Sequence, residues 1–311
     1  MNTTPHAPLR VVSLLPAATD IIDALGAADS LVAITHECDA AVARDRTRVT
    51  STPIVAGSAG AVDAQVRDTT LRGDSLFDLD EPTIAHLAPD VIVTQALCDV
   101  CAVSETDVRA LAARLSPSPR LVTLSGTTID TVLDDVRHVA DALDLTDEGD
   151  ELIAGLRCRL RHVERCVAAH LAHAKRPRLA VIEWTDPIFA AGHWMPEIVA
   201  RAGGIDVLET AGRHSTQRTV DEVESAAPDV LIFAQCGYDA AHAAREAESV
   251  LRTDPWRWAT DIPVWAIDAN AYTSRPGPRL VDGVELVAKM LHRFDISGTH
   301  HAGIQRVDAR R

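Results

Sequence analysis

An α/β fold of two lobes joined by one long helix is predicted by three observations. Short β-branched runs alternate with helical patterns over the first 125 residues, the signature of βα units around a mostly parallel sheet. An apolar stripe at helical spacing then persists from about Asp147 to Lys175 with no internal proline. Beyond it the strand-like pattern restarts at Arg178. A chain of 311 residues is long enough for two cores of this kind.

The first lobe, residues 1–125, is expected to contain strands at Arg10 to Leu15, Leu31 to Thr35, Val91 to Thr94 and Leu121 to Leu124, with a less regular one at Leu76 to Asp80. Helical spacing covers Ala17 to Leu25 and Ser104 to Leu115, and Ser104 three residues before Asp107 reads as a capping-box-like start. Pro82 suits the first turn of a short helix. Residues 126–176 hold an amphipathic helix over Thr128 to Leu143 and then the long one, whose roughly 28 residues extend about 40 Å. The second lobe, residues 177–292, has strands at Arg178 to Trp184, Val230 to Ala234 and Val264 to Asp268. Its helices are read near Met195 to Ala202, Val220 to Ala226, Ala240 to Leu251 and Leu280 to Leu291. Residues 293–311 lose periodicity and are expected to form a mobile tail.

Composition narrows the function. Hydrophobic residues make up 47% and charged residues 24%, which excludes disordered and disulfide-stapled classes. Thirty Lys plus Arg against 45 Asp plus Glu leave a net charge of −15, a field that repels nucleic acid and anionic lipid. The polar stretch Met1 to Arg10 lacks the pattern of a secretion signal, and no apolar run approaches a bilayer span, so the chain is expected to be cytoplasmic.

The unusual residues fall just after strands, where ligands bind in open parallel sheets because loop backbone and helix N-termini converge there. After the second strand come His36, Glu37, Cys38 and Asp39; after the Val91 strand come Cys98 and Cys101. In the second lobe Glu183 and Trp184 end one strand, His193 and Trp194 follow shortly, Cys236 and Tyr238 follow the next, and Arg275 and Arg279 flank a stiff Pro-Gly-Pro loop after the last. If the lobes face each other, these residues line an interlobe cleft. Cys38, Cys98, Cys101 and Cys236, or three of them with His36 or His193, would suit zinc or an iron–sulfur cluster. Each also has a plain structural reading as core packing or turn. Cys158 and Cys166, inside the long helix, read as packing residues, and His162, His170 and His173 on the same helix as solvent-facing.

Residues 9 to 292 resemble the periplasmic-binding-protein-like proteins of the iron-siderophore and vitamin B12 type. Ser13-Leu14-Leu15-Pro16-Ala17-Ala18-Thr19-Asp20 is similar to that family's opening strand and turn, and Leu87-Ala88-Pro89-Asp90-Val91-Ile92 to its Leu-x-Pro-Asp-Leu-Ile segment. His36-Glu37-Cys38-Asp39, Cys98 to Val103, Ala191-Gly192-His193-Trp194 and Arg275 to Arg279 resemble a narrower branch, the cobalamin-binding or substrate-binding proteins of ABC transporters. The resemblance implies a class III binding-protein fold, with two α/β lobes on one backbone helix.

It also implies a non-catalytic role, the binding of a cobalamin-like corrinoid or another metal chelate. In that reading Trp184, Trp194 and Tyr238 stack on the flat ligand, and His193 or a cysteine ligates its metal. A signal-less chain fits poorly with delivery to an ABC transporter. The alternative is a cytoplasmic metalloprotein or enzyme holding zinc or an iron–sulfur cluster through the cleft cysteines, with His36, Glu37 or Glu183 moving protons.

Overall fold

The computed structural model describes residues 9–97, 102–292 and 303–308. The chain divides into two compact units. Unit 1 comprises residues up to Val55, Val66–Gly126 and Thr131–Ala154; unit 2 comprises Ala56–Gln65, Thr127–Asp130 and the chain from Gly155 onward.

Unit 1 is built on β1 (Val11–Ser13), β2 (Leu31–Ile34) and β3 (Thr47–Arg48), with α1 (Pro16–Ala24) between the first two. A small antiparallel pair, β4 (Thr50–Ser51) and β5 (Asp78–Leu79), brackets α2 (Ala59–Arg72), whose first residues belong to unit 2. After α3 (Glu81–Leu87) come β6 (Val91–Gln95), α4 (Glu105–Arg114) and β7 (Arg120–Leu124). The five-stranded sheet has the order β3-β2-β1-β6-β7 and every pair in it is parallel. Strand order reverses beside β1, so the loops after β1, β2 and β6 share the carboxyl edge where such sheets take ligands. Burial explains why the strands read so plainly in the sequence: β1 and β6 are buried along their whole length, as strands covered on both faces must be.

Two helices follow, α5 (Ile129–Ala142) and α6 (Thr146–Leu171). The 26 residues of α6 rise about 39 Å, and Ile153, Leu156, Leu160, Val163 and Val167 form its buried stripe. The helix is continuous across the residue at which unit 1 gives way to unit 2. It stops four residues short of the predicted Lys175, the chain turning after Leu171 on its way to Pro177.

Unit 2 contains β8 (Arg178–Thr185), β9 (Ile188–Ala190), α7 (Met195–Arg201), β10 (Ile205–Asp206), β11 (Thr216–Gln217), α8 (Val220–Ser225) and β12 (Val230–Phe233). Then come α9 (Ala240–Leu251), a 3-10 stretch at Asp254–Asp261, β13 (Val264–Ile267), α10 (Ala269–Tyr272), α11 (Arg279–His292) and β14 (Ile304–Val307). The sheet runs β11-β9-β8-β12-β13-β14, with β10 paired to β8. Strands β8, β12 and β13 are parallel, whereas β9 and β14 are antiparallel to their neighbours. The tail expected from residue 293 therefore contains a strand, held by the ladder from Val264↔Val307 to Ile267↔Ile304 rather than by any apolar alternation of its own.

Two local expectations need amendment. Ser104 is the N-cap of α4, but its side chain makes no capping hydrogen bond. The full capping box sits instead on α8, where Thr219 and Glu222 bond reciprocally. Cys158 is exposed and Cys166 half-exposed, so neither packs in the helix's buried stripe; His162, His170 and His173 are exposed, as expected.

Candidate functional site

In unit 1 the loop after β2 is fixed from below. Thr35 and Thr50 share a buried hydroxyl contact of 2.9 Å, and Thr50 Oγ1 also accepts from His36 N at 2.9 Å and lies 2.7 Å from His36 Nδ1. The Arg48 guanidinium donates to three carbonyls of the loop, those of Thr35 at 3.2 Å, His36 at 2.5 Å and Cys38 at 3.0 Å. This clamp leaves His36 half-buried with Glu37 and Asp39 exposed. Burial, and then the Arg48 charge, lower the His36 pKa, so the imidazole is held neutral at neutral pH.

Cys38 lies beneath that loop, 2% exposed. Its Sγ is 3.0 Å from Thr19 Oγ1, which is 2.8 Å from Ser13 Oγ, which donates to Leu15 O at 3.0 Å. Each hydroxyl has one proton, so the direction of the chain is determined. Ser13 spends its proton on Leu15 O; Thr19 donates to Ser13, and Cys38 donates to Thr19. A buried thiol held in such a chain has little access to solvent or to a metal ion. The family-like segment from Ser13 to Thr19 thus supplies all three acceptors.

In unit 2 the loop after β9 carries Gly192, His193 and Trp194. His193 has φ +51, a conformation few side chains adopt, and it is held there by two backbone bonds. His193 N donates to Arg213 O at 2.5 Å, and Gly212 N donates to His193 O at 2.8 Å. A Cβ at position 192 would come within 2.5 Å of Ser215 N, so only glycine permits this approach. The clamp sets His193 Nε2 3.1 Å from His214 Nδ1. Burial, then the neighbouring His214, lower the His193 pKa.

The aromatic residues divide by access. Trp194 is 8% exposed and its indole N–H donates to Thr273 O at 2.7 Å. Tyr238 is 7% exposed, and its ring is stacked face to face on His242 at 3.7 Å and 4°. Trp184 is half-buried, 5.8 Å from Tyr238 at 52°. Of the three expected to stack on a ligand, Trp184 therefore has the open surface, while Tyr238 packs beside it and Trp194 is tied to Thr273 and lies against His193. Glu183 is also half-buried, and its carbonyl accepts from Cys236 N at 3.4 Å, which brings the ends of β8 and β12 together. Cys236 itself is exposed and not part of a disulfide.

Arg275 is 7% exposed, and Arg279, at the start of α11, is half-buried. Cys98 and Cys101 lie outside the described residues. Among the described residues no three His, Cys, Asp or Glu side chains gather as a metal ion requires, so the zinc and iron–sulfur readings find no support there. Sequence reasoning missed Arg48, His214 and His242, and named Thr19 only as part of the Ser13 to Asp20 motif. Only His242 had a local signal, its four-residue spacing from Tyr238 after the Asp239 N-cap.

Residues 11–259 match the family model described as periplasmic binding protein. The chain belongs to that family. No curated protein matches it in sequence. Among solved structures it is similar to a periplasmic heme binding protein from Pseudomonas aeruginosa, at 16% identity and TM-score 0.69, covering 97% of this chain and 98% of that one. It is similar also to the periplasmic vitamin B12 binding protein of Vibrio cholerae, at 21% identity and TM-score 0.61, covering 91% and 96%. The periplasmic heme binding protein HutB of the same organism follows at 14% identity, TM-score 0.62, with 91% and 99% covered.

These likenesses establish the two-lobed α/β fold. They also correct the cytoplasmic expectation, since the family and these solved structures are periplasmic binding proteins. No helix among the described residues is long and apolar enough to cross a membrane.

Proposed function

We propose that this chain binds a flat metal chelate outside the cytoplasm, a cobalamin-like corrinoid before a heme, and passes it to an ABC transporter. The observation that carries the reading is Trp184: a half-buried indole at the carboxyl end of β8, backed by the Tyr238–His242 stack. Aromatic faces braced from behind bind flat, largely apolar ligands with little entropy to lose. His193, neutral and fixed beside Trp194, offers a nitrogen to the chelated metal.

Family membership supports the binding role and the extracytoplasmic setting, and solved structures that share the fold are described as binding heme or vitamin B12. The preference for a corrinoid rests on the motifs His36 to Asp39, Ala191 to Trp194 and Arg275 to Arg279, which resemble the cobalamin-binding branch.

Titration of tryptophan emission with cyanocobalamin and, separately, hemin tests the proposal. Saturable quenching at one ligand per chain, tighter for cyanocobalamin, is expected, and Trp184→Ala weakens it at least tenfold. Absence of saturable quenching by either ligand overturns the proposal; tighter binding of hemin overturns the corrinoid preference.

A further inference from the structure

The long helix α6 carries a set of chemically active side chains that the ligand-binding reading leaves unused. Cys158, His162 and Cys166 recur at four-residue spacing, which sets them one above another on one face. Cys158 and His162 are exposed and Cys166 half-exposed, away from the buried stripe of Leu156, Leu160 and Val163. Both thiols are free. Eight residues of helix separate them by about 12 Å, far beyond the roughly 7 Å over which two cysteines can be bridged, so they cannot pair with each other.

Cys166 Sγ and His162 Nε2 are 3.8 Å apart. A tetrahedral zinc ion bonds thiolate sulfur at about 2.3 Å and imidazole nitrogen at about 2.0 Å, which puts the two donor atoms about 3.6 Å from each other. The pair therefore holds its donors at nearly the bite a single ion needs, on a rigid helix, with solvent on the open side.

From this geometry we infer that His162 and Cys166 form a two-donor site for a borderline transition-metal ion of the zinc class, whose remaining positions are filled by water. Binding replaces the thiol proton: the S–H bond breaks, the proton leaves to solvent and the S–metal bond forms, while His162 gives the lone pair of Nε2. A thiolate and an imidazole disfavour hard ions such as magnesium or calcium, which take oxygen ligands, and select an ion with a strongly covalent bond to sulfur. Cys158 stands too far along the axis to share the same ion with Cys166.

The test follows alkylation of individual cysteines by iodoacetamide under reductant, read by mass spectrometry, with and without Zn²⁺. Zn²⁺ is expected to slow modification of Cys166 at least tenfold in the full chain. His162→Gln is expected to abolish that protection while leaving the zinc-free rate at Cys166 within twofold. Both side chains lie on the open face of the helix, so the variant keeps the fold, checked by its melting curve. A Cys166 rate indifferent to Zn²⁺, or protection that survives in His162→Gln, overturns the inference.

Discussion

The Cys38 thiol donates its proton to Thr19 Oγ1 across 3.0 Å, inside the core of unit 1. The residue that the sequence marks as a metal ligand is, in the described structure, the donor end of a hydrogen-bond relay that finishes on Leu15 O.

Cys38 should consequently be inert. Iodoacetamide modification of Cys38, resolved by mass spectrometry, is expected to run at least about tenfold slower than that of exposed Cys236. Thr19→Val keeps the shape but strips the acceptor, and should cost about 1–2 kcal/mol in urea unfolding. Equal alkylation rates at the two cysteines would contradict the relay.

Asp206 gives unit 2 a pH-dependent stability. Its Oδ1 accepts from the backbone N–H groups of Leu208 and Glu209 at 2.9 Å each, while Oδ2 is buried without a partner. Burial, with the Glu209 charge adding to it, pushes its pKa up to about 6. Because the folded value lies above the unfolded one, the unfolded chain holds fewer protons in between, and the stabilising contribution is lost as pH rises from about 4 to about 6. Asp206→Asn should remove that slope and raise stability at pH 7 by about 2–3 kcal/mol. Urea midpoints at pH 4.5 and 7 for both proteins measure it.

Gly203 should tolerate no side chain. Its φ is +87, and a Cβ would fall 2.6 Å from both His292 Nε2 and Val167 Cγ1. His292 Nε2 is already engaged, donating to Ala202 O at 2.8 Å in a buried setting, so the ring cannot swing aside cheaply. Strain and overpacking together predict a loss of at least about 2 kcal/mol for Gly203→Ala, visible as a lowered thermal midpoint.

Arg159 and Glu285 tie α6 to α11. The guanidinium donates to both carboxylate oxygens, at 2.9 and 2.6 Å, and Glu285 is 5% exposed. Arg159→Leu leaves a buried carboxylate unpaired and should cost about 2 kcal/mol or more, whereas the double change with Glu285→Leu should recover most of the loss. A double-mutant cycle in urea, with coupling near zero, would show the pair to be inconsequential.

Much of the fold was legible because burial on both faces leaves continuous β-branched runs: Val91 to Gln95 and Val230 to Phe233 were found within a residue. The short strands Thr47–Arg48, Ile205–Asp206 and Thr216–Gln217 were not, since two residues carry no period and their pairing is decided by distant partners. Helix α2 was missed for a related reason, having no buried stripe regular enough to read. At the candidate site, the positions of His36 and His193 after strands, and of Trp184 at the end of one, were foreseen. Access was not: whether a ring faces solvent depends on partners such as His242 for Tyr238 and Thr273 for Trp194, which no local pattern announces.

Strand β14 has a practical consequence for anyone handling this protein. It occupies the outer flank of β13, and Val307 reaches the core at 4% exposure. A chain cut after His292 would bare the hydrogen-bonding groups of Val264 to Ile267 along an apolar flank, and such a flank recruits the same segment from other molecules. Ile304 to Val307 thus act as a guard against self-association, and an affinity tag or truncation at this end is better placed beyond Asp308 than ahead of Gly303.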